Sequence, residues 1–95
     1  MYARVLVLKA NPGDRAEVEA LADQAFAIMK TQPGFISIHF VISADESTYG
    51  SFSLWETEEA ANAAGDSVQS RLAGAMQALA TAQPTIEVFE VYKPG

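Results

Sequence analysis

The sequence contains one histidine, His39, within the apolar stretch FISIHFVIS. An unperturbed imidazole titrates near neutral pH, which makes His39 the candidate for a catalytic base. A hydrogen-bonded histidine in a strand or at a subunit interface is the alternative. There is no cysteine, so thiolate catalysis and cysteine-ligated metals are excluded. No carboxylate pair, Ser/His/Asp set, metal-ligand cluster or glycine-rich phosphate loop accompanies the histidine, and we therefore predict no metal site.

A second set of candidates recurs at every other position of the stretch YGSFSLW, namely Tyr49, Ser51, Ser53 and Trp55. On a strand, this spacing places all four side chains on one face. Hydroxyl groups and an indole N–H on a mainly apolar surface are typical of a small-molecule site, so we predict that these residues bind substrate. The alternatives are solvated edge positions for the hydroxyls and core filling for the tryptophan.

The elements that must position these residues follow from local patterns. We predict strands over residues 2–9, 35–43, 49–56 and 85–93, because each is β-branched or aromatic and is bounded by turn formers. Helical spacing predicts a helix from Asp14, as a capping box with Glu17, to about Lys30. Two further helical pieces, about 58–64 and 67–82, are predicted on either side of Gly65-Asp66, with Thr57 as the cap of the first.

The predicted order is βαββαβ, which is typical of an α+β, ferredoxin-like domain over residues 1–95. Such a domain has a four-stranded antiparallel sheet with both helices on one face. A four-residue hairpin loop, Ala44–Ser47, sets Ser43 opposite Thr48 and His39 opposite Phe52. The Trp55 row then shares its face with Ile36, Ile38, Phe40 and Ile42, whereas His39 points away from it.

Both faces of the predicted sheet carry apolar side chains. Leu6 and Leu8 alternate with Val5 and Val7, and the second and fourth strands repeat this pattern. Four strands of ~20 Å at ~4.8 Å spacing leave a footprint of roughly 400 Å² that two helices on the other face cannot cover. We therefore predict a homodimer that packs through the sheet face, with a long loop or the C-terminal segment as the alternative cover.

The charge balance bears on partners and location. Twelve acidic and six basic residues give a net charge of -6, which repels a nucleic acid backbone, so we expect no nucleic acid partner. No apolar run approaches the ~18 residues of a membrane span, so we expect no membrane partner. A cysteine-free composition favours a cytoplasmic location. Arg4 and Glu90 are charges inside apolar strands; a cross-strand pair is favoured over an anion anchor in a pocket.

Three short motifs occur in a recognisable order. Asn11-Pro12-Gly13 follows the first strand, QPGF at 32–35 precedes the second, and LWETEEA at 54–60 ends the third. In this order they resemble the antibiotic biosynthesis monooxygenase (ABM) family of the dimeric α/β-barrel superfamily, whose members carry LWE(S/T)EEA at the end of strand three. The resemblance covers nearly the whole chain and implies a dimeric barrel, with Trp55 as a wall of the pocket between helices and sheet.

Two departures from the family pattern limit the chemistry that the resemblance implies. Haem-degrading members carry an Asn on strand one and an axial His on a helix, where this chain has Leu6 and Gly65, so we expect no haem and no other bound cofactor. Polyketide monooxygenases carry an Asn four residues before the Trp and a Tyr six after it, where this chain has Ser51 and Ala61.

Two functions remain open after these comparisons of residues. The first is a cofactor-independent monooxygenase-like enzyme that acts on a small hydrophobic or aromatic compound, with His39 as base if its face permits. The second is a non-catalytic dimer of the same fold that binds a small molecule or serves in assembly.

Overall fold

The four strands and two helices occur in the predicted order. The computed structural model describes residues 1–94. Its elements are β1 (Tyr2–Lys9), a 3-10 turn (Pro12–Asp14), α1 (Arg15–Met29), β2 (Phe35–Ile42), β3 (Thr48–Trp55), α2 (Glu58–Leu79) and β4 (Thr85–Glu90). The strands form one antiparallel sheet in the order β2-β3-β1-β4. The predicted ferredoxin-like α+β fold is confirmed.

The first helix starts differently from the prediction. Asp14 makes no side-chain capping bond, and the 3-10 turn leads directly into α1. Arg15 instead fixes the start of the helix, because its Nε donates to Glu19 Oε2 at 3.0 Å and its Nη1 donates to Glu46 Oε2 at 2.7 Å. The second of these bonds ties α1 to the β2–β3 loop.

The second helix is continuous, so the predicted break at Gly65-Asp66 is wrong. Thr57 caps it as predicted, since its Oγ1 accepts from Ala60 N at 3.0 Å. Gly65 lies inside the helix and faces the Arg4 side chain of β1, not a turn. The sequence suggests that this glycine breaks the helix, but its position is explained by the close approach of α2 to the Arg4 side chain.

The hairpin register is confirmed at its loop end. Ser43 N donates to Thr48 O at 2.8 Å, and His39 is the partner of Phe52. At the other end β2 has an irregularity between Phe35 and Ser37, so Phe35, not the following residue, pairs with Trp55. The prediction that Ile36 shares the Trp55 face is wrong, because this β-bulge turns its side chain outward, where it is 45% exposed.

The two faces of the sheet have different surroundings. The helices bury a core on one face, which includes Leu21, Met29, Trp55, Val68 and Leu72. The other face has no covering layer among residues 1–94, and large apolar side chains stand exposed on it, namely Val41, Phe52 and Phe89. We call this second surface the open face.

Candidate functional site

Trp55 and Ser53 form a closed hydrogen-bonded unit under the helices. Trp55 Nε1 donates to Ser53 Oγ at 2.9 Å, and Ser53 Oγ donates to the Arg4 carbonyl at 3.3 Å. Both side chains are fully buried, and the Phe35 ring meets the indole edge-on with 5.4 Å between centroids. Neither residue lines the two cavities described below. The Trp55 N–H is thus bonded to Ser53, and the Ser53 hydroxyl is bonded to the β1 backbone.

A small cavity of about 60 Å³ lies between the sheet and both helices. Its walls are mostly apolar, from α1, α2 and β1, but Tyr49, Ser51 and Arg4 also line it. The Tyr49 hydroxyl is buried and has no hydrogen-bond partner among residues 1–94. Burial raises the pKa of Tyr49, so this phenol stays protonated at neutral pH and can donate a hydrogen bond.

A larger cavity of about 480 Å³ lies between α2, the loop over residues 80–84 and β4. This volume is within the usual range for small-molecule sites. Amide side chains such as Asn62, Gln69 and Gln77 form its α2 wall, and Ile86 and Val88 form its β4 wall. Arg4 and Met76 line both cavities, so the two spaces adjoin at these residues.

Arg4 does not form the predicted cross-strand pair with Glu90. Glu90 pairs in register with Tyr2, whereas Arg4 faces Val88 on β4 and Ser53 on β3. The ion pairs found within the described part of the chain both involve Arg15. Arg4 is only 3% exposed, and its Nη1 has no hydrogen-bond partner in residues 1–94. Burial lowers the pKa of Arg4, and the charge of Asp66 partly offsets this effect.

His39 lies apart from the other candidates. It is exposed and pairs with Phe52, so its side chain projects from the open face, opposite to Tyr49, Ser51, Ser53 and Trp55. The structure therefore brings the four β3 residues to one side of the sheet and separates the histidine from them. Among residues 1–94, no group of three or more His, Asp or Glu side chains is arranged to hold a metal ion.

Sequence reasoning did not single out the junction of Arg4 and Gly65. The available signal was the shared parity of Arg4 with Leu6 and Leu8, which places a charge on the helix-covered face. Gly65, one of two glycines in the alanine-rich α2, was the matching signal on the helix. Within the described residues, no helix combines the length and apolarity that a membrane crossing requires.

Solved structures with the same fold include proteins of known and unknown role. A protein of unknown function from Nitrosomonas europaea has a TM-score of 0.83 and 21% identity, over 99% of this chain and 91% of that one. SnoaB, a cofactor-independent oxygenase from Streptomyces nogalater, solved as an asparagine-to-alanine variant, has a TM-score of 0.81 and 22% identity, over 98% and 94% of the two chains. A proposed antibiotic biosynthesis monooxygenase from Caulobacter crescentus has a TM-score of 0.80 and 25% identity, over 97% and 90%.

These likenesses confirm the fold, and the sequence itself identifies the family. No curated protein sequence matches the chain. The family model described as antibiotic biosynthesis monooxygenase matches residues 1–76, which include β1, α1, the β2–β3 hairpin and most of α2. The chain therefore belongs to the antibiotic biosynthesis monooxygenase family.

Proposed function

We propose that the chain is a cofactor-independent monooxygenase-like enzyme that acts as a homodimer on a small hydrophobic, aromatic compound. The observation that carries the proposal is the pair of neighbouring cavities on the helix-covered side of the sheet, the smaller of which is lined by Tyr49, whose buried hydroxyl has no partner among residues 1–94. Family membership and the likeness to SnoaB, a cofactor-independent oxygenase, support the same reaction class. The larger cavity, about 480 Å³ in volume, suits a planar substrate whose polar atoms meet few but specific partners.

The proposed reaction needs little from the protein. A substrate with an activated, acidic CH₂ group loses one proton to water, and the resulting carbanion reduces dioxygen and forms a C–O bond to it. The hydroperoxide, once protonated, breaks its O–O bond and its remaining C–H bond, so that the carbon becomes a carbonyl and the second oxygen atom leaves as water. The protonated Tyr49 hydroxyl donates a hydrogen bond to the oxygen that carries the substrate's negative charge. Ser51 adds a second hydroxyl at the cavity wall.

Trp55 and Ser53 have a different part in this proposal. Their mutual hydrogen bond and complete burial fix the end of β3 and, through it, the direction of Ser51 and Tyr49. They are positioning residues of the pocket. His39 enters as an interface residue, because it lies on the opposite side of the sheet from the cavities.

The homodimer is part of the proposal because the open face needs a cover. Val41, Phe52 and Phe89 are 58%, 41% and 46% exposed, and the half-buried Val5 and Val7 lie between them. Packing two open faces together would remove this apolar surface from water. We also propose a single domain over residues 1–95 and a cytoplasmic location, the latter from the cysteine-free composition.

A non-catalytic binding dimer is the second candidate. It is favoured by Ser51 and Ala61, which stand where polyketide monooxygenases carry Asn and Tyr, and by the distance of His39 from the cavities. In this alternative the same cavities hold a small molecule that is not transformed.

Oxygen uptake with anthrone separates the two candidates. We expect the enzyme to consume oxygen and to form anthraquinone, and Tyr49→Phe to lower kcat/KM by about tenfold to a hundredfold because one hydrogen bond to the anion is lost. Tyr92→Phe is the matched control, since Tyr92 is 83% exposed. Quenching of the single tryptophan by anthrone without oxygen uptake would identify a binder, and equal rates in both variants would remove Tyr49 from the site.

A further inference from the structure

The guanidinium of Arg4 is a buried charge without a counter-ion in contact. Among residues 1–94 its Nη1 has no hydrogen-bond partner, and no carboxylate lies within ion-pair distance of it. Arginine keeps its proton in proteins, so this group cannot become neutral to escape the cost of burial. An unpaired buried charge is costly, and natural proteins retain one mostly where it meets a partner.

The surroundings of Arg4 are shaped to hold the guanidinium in this place. A Cβ at position 65 would lie 2.8 Å from Arg4 Nε and 3.2 Å from Nη2, so only glycine leaves room for the guanidinium against α2. The Arg4 side chain thus extends from β1 and packs closely against α2 at Gly65. Arg4 is not a surface cation that has folded inward, because its position is built into the packing.

The larger cavity gives a ligand access to this charge. Arg4 lines it together with neutral amides on α2 and apolar side chains on β4. Asp66, an exposed residue that also lines the cavity, is the carboxylate whose charge acts on Arg4. Since Asp66 makes no ion pair with Arg4, the guanidinium keeps an uncompensated positive charge at the cavity, and apart from these two residues the lining is uncharged.

We propose that this cavity binds an apolar, aromatic carboxylate, whose carboxylate group is seated against the Arg4 guanidinium. The planar, fork-like guanidinium matches the two oxygens of a carboxylate, and such charge-assisted hydrogen bonds are strong where water is excluded. The aromatic body then lies along Ile86, Val88 and Met76. The inference rests on the proposed function for the use of this space and adds the charge of the ligand.

Calorimetric titration with 2-naphthoate and its neutral isostere 2-naphthamide tests the proposal. We expect the full chain to bind 2-naphthoate at least about tenfold more tightly than 2-naphthamide, and Arg4→Met to abolish this preference. Arg71→Met is the matched control, since Arg71 is an exposed arginine on α2, and it retains the preference. Equal affinities for both compounds, no binding of 2-naphthoate at millimolar concentration, or a preference that survives in Arg4→Met would each overturn the site.

A second variant, which should strengthen binding of 2-naphthoate, tests the proposal if Arg4→Met fails to fold. Asp66→Asn removes a negative charge from the cavity wall and should tighten 2-naphthoate binding about twofold to fivefold, without a change for 2-naphthamide. Unchanged or weaker binding of 2-naphthoate in this variant would contradict the proposal.

The two proposals can fail separately. Arg4-dependent binding of 2-naphthoate by a protein that does not oxidise anthrone would retain the carboxylate site and reject the oxygenase. Oxidation of anthrone without any preference for 2-naphthoate would do the reverse.

Discussion

The Arg4 guanidinium fills the space that a side chain at position 65 would need, because a Cβ built on Gly65 would lie 2.8 Å from Arg4 Nε. The contact joins β1, an inner strand of the sheet, to the interior of α2. It explains why the 22-residue helix α2 has a glycine at position 65, where alanine would otherwise be more favourable by about 1 kcal/mol.

We predict opposite effects of alanine at the two glycines of α2. Gly74 has open space around it, so Gly74→Ala should stabilise the protein by about 0.5–1 kcal/mol. Gly65→Ala should destabilise it by about 1–3 kcal/mol, because the new methyl displaces the Arg4 side chain. Urea unfolding of both variants beside the parent measures the difference. A stabilising Gly65→Ala would show that Arg4 does not depend on the space above this residue.

The Trp55–Ser53 hydrogen bond gives a second stability prediction. Ser53→Ala leaves the buried indole N–H without its 2.9 Å acceptor, and we expect a loss of about 1–3 kcal/mol in the free energy of unfolding. Ser70→Ala removes an exposed hydroxyl that bonds only to the Ser67 carbonyl, and should change stability by less than about 0.5 kcal/mol. Equal effects of the two substitutions would mean that the indole finds another acceptor.

The β2–β3 loop should respond to acid through Asp45. Its carboxylate accepts from Ser47 Oγ at 2.7 Å, Ser43 Oγ at 2.8 Å and Ser47 N at 3.1 Å, and these bonds lower the pKa of Asp45 from 3.8 to about 2. A lowered folded-state pKa stabilises the folded protein at pH values above 3.8, and this contribution is lost as the pH falls through about 2.

The corresponding measurements are an NMR titration and a comparison of stabilities. We expect the Asp45 carboxyl resonance and the Ser47 amide to titrate together with a midpoint of about 2. The destabilisation caused by Asp45→Asn should be larger at pH 5 than at pH 2. A midpoint near 3.8 would mean that the three loop hydrogen bonds are not retained in solution.

The open face predicts a subunit interface. Phe52→Glu places a charge at its centre and should convert a dimer into a monomer of 10.2 kDa in sedimentation equilibrium. Gln24→Glu adds the same charge to an exposed position of α1 and should leave the dimer intact. A parent protein that sediments as a well-folded monomer at micromolar concentration would refute the dimer itself.

His39 offers a separate test of which side of the sheet carries the chemistry. We expect His39→Ala to shift the dimer dissociation constant and to leave anthrone oxidation per folded dimer unchanged, because the side chain projects from the open face. The measurement is sedimentation combined with oxygen uptake at protein concentrations well above dissociation. A loss of turnover in an intact dimer would assign His39 to the reaction.

Sequence patterns predicted the parts of this fold that depend on local rules. The β-branched and aromatic segments between turn formers, the Thr57 cap and the four-residue hairpin loop all depend on neighbours in the chain, and each matches the structure. The bulge at Ile36 was not predictable in this way, because it lets Phe35 reach Trp55 and so depends on a contact across strands. The close approach of Arg4 to Gly65 was missed for the same reason, since the two residues are distant in sequence.

The sheet order also bears on how the chain acquires its structure during synthesis. β1 is made first, but it lies between β3 and β4 and can pair only with segments made later. The β2–β3 hairpin, by contrast, can close as soon as residues 35–55 have left the ribosome. Until residues 85–90 emerge, one edge of β1 has no neighbour, so a nascent chain halted before that point presents an apolar strand edge to chaperones or to other nascent chains.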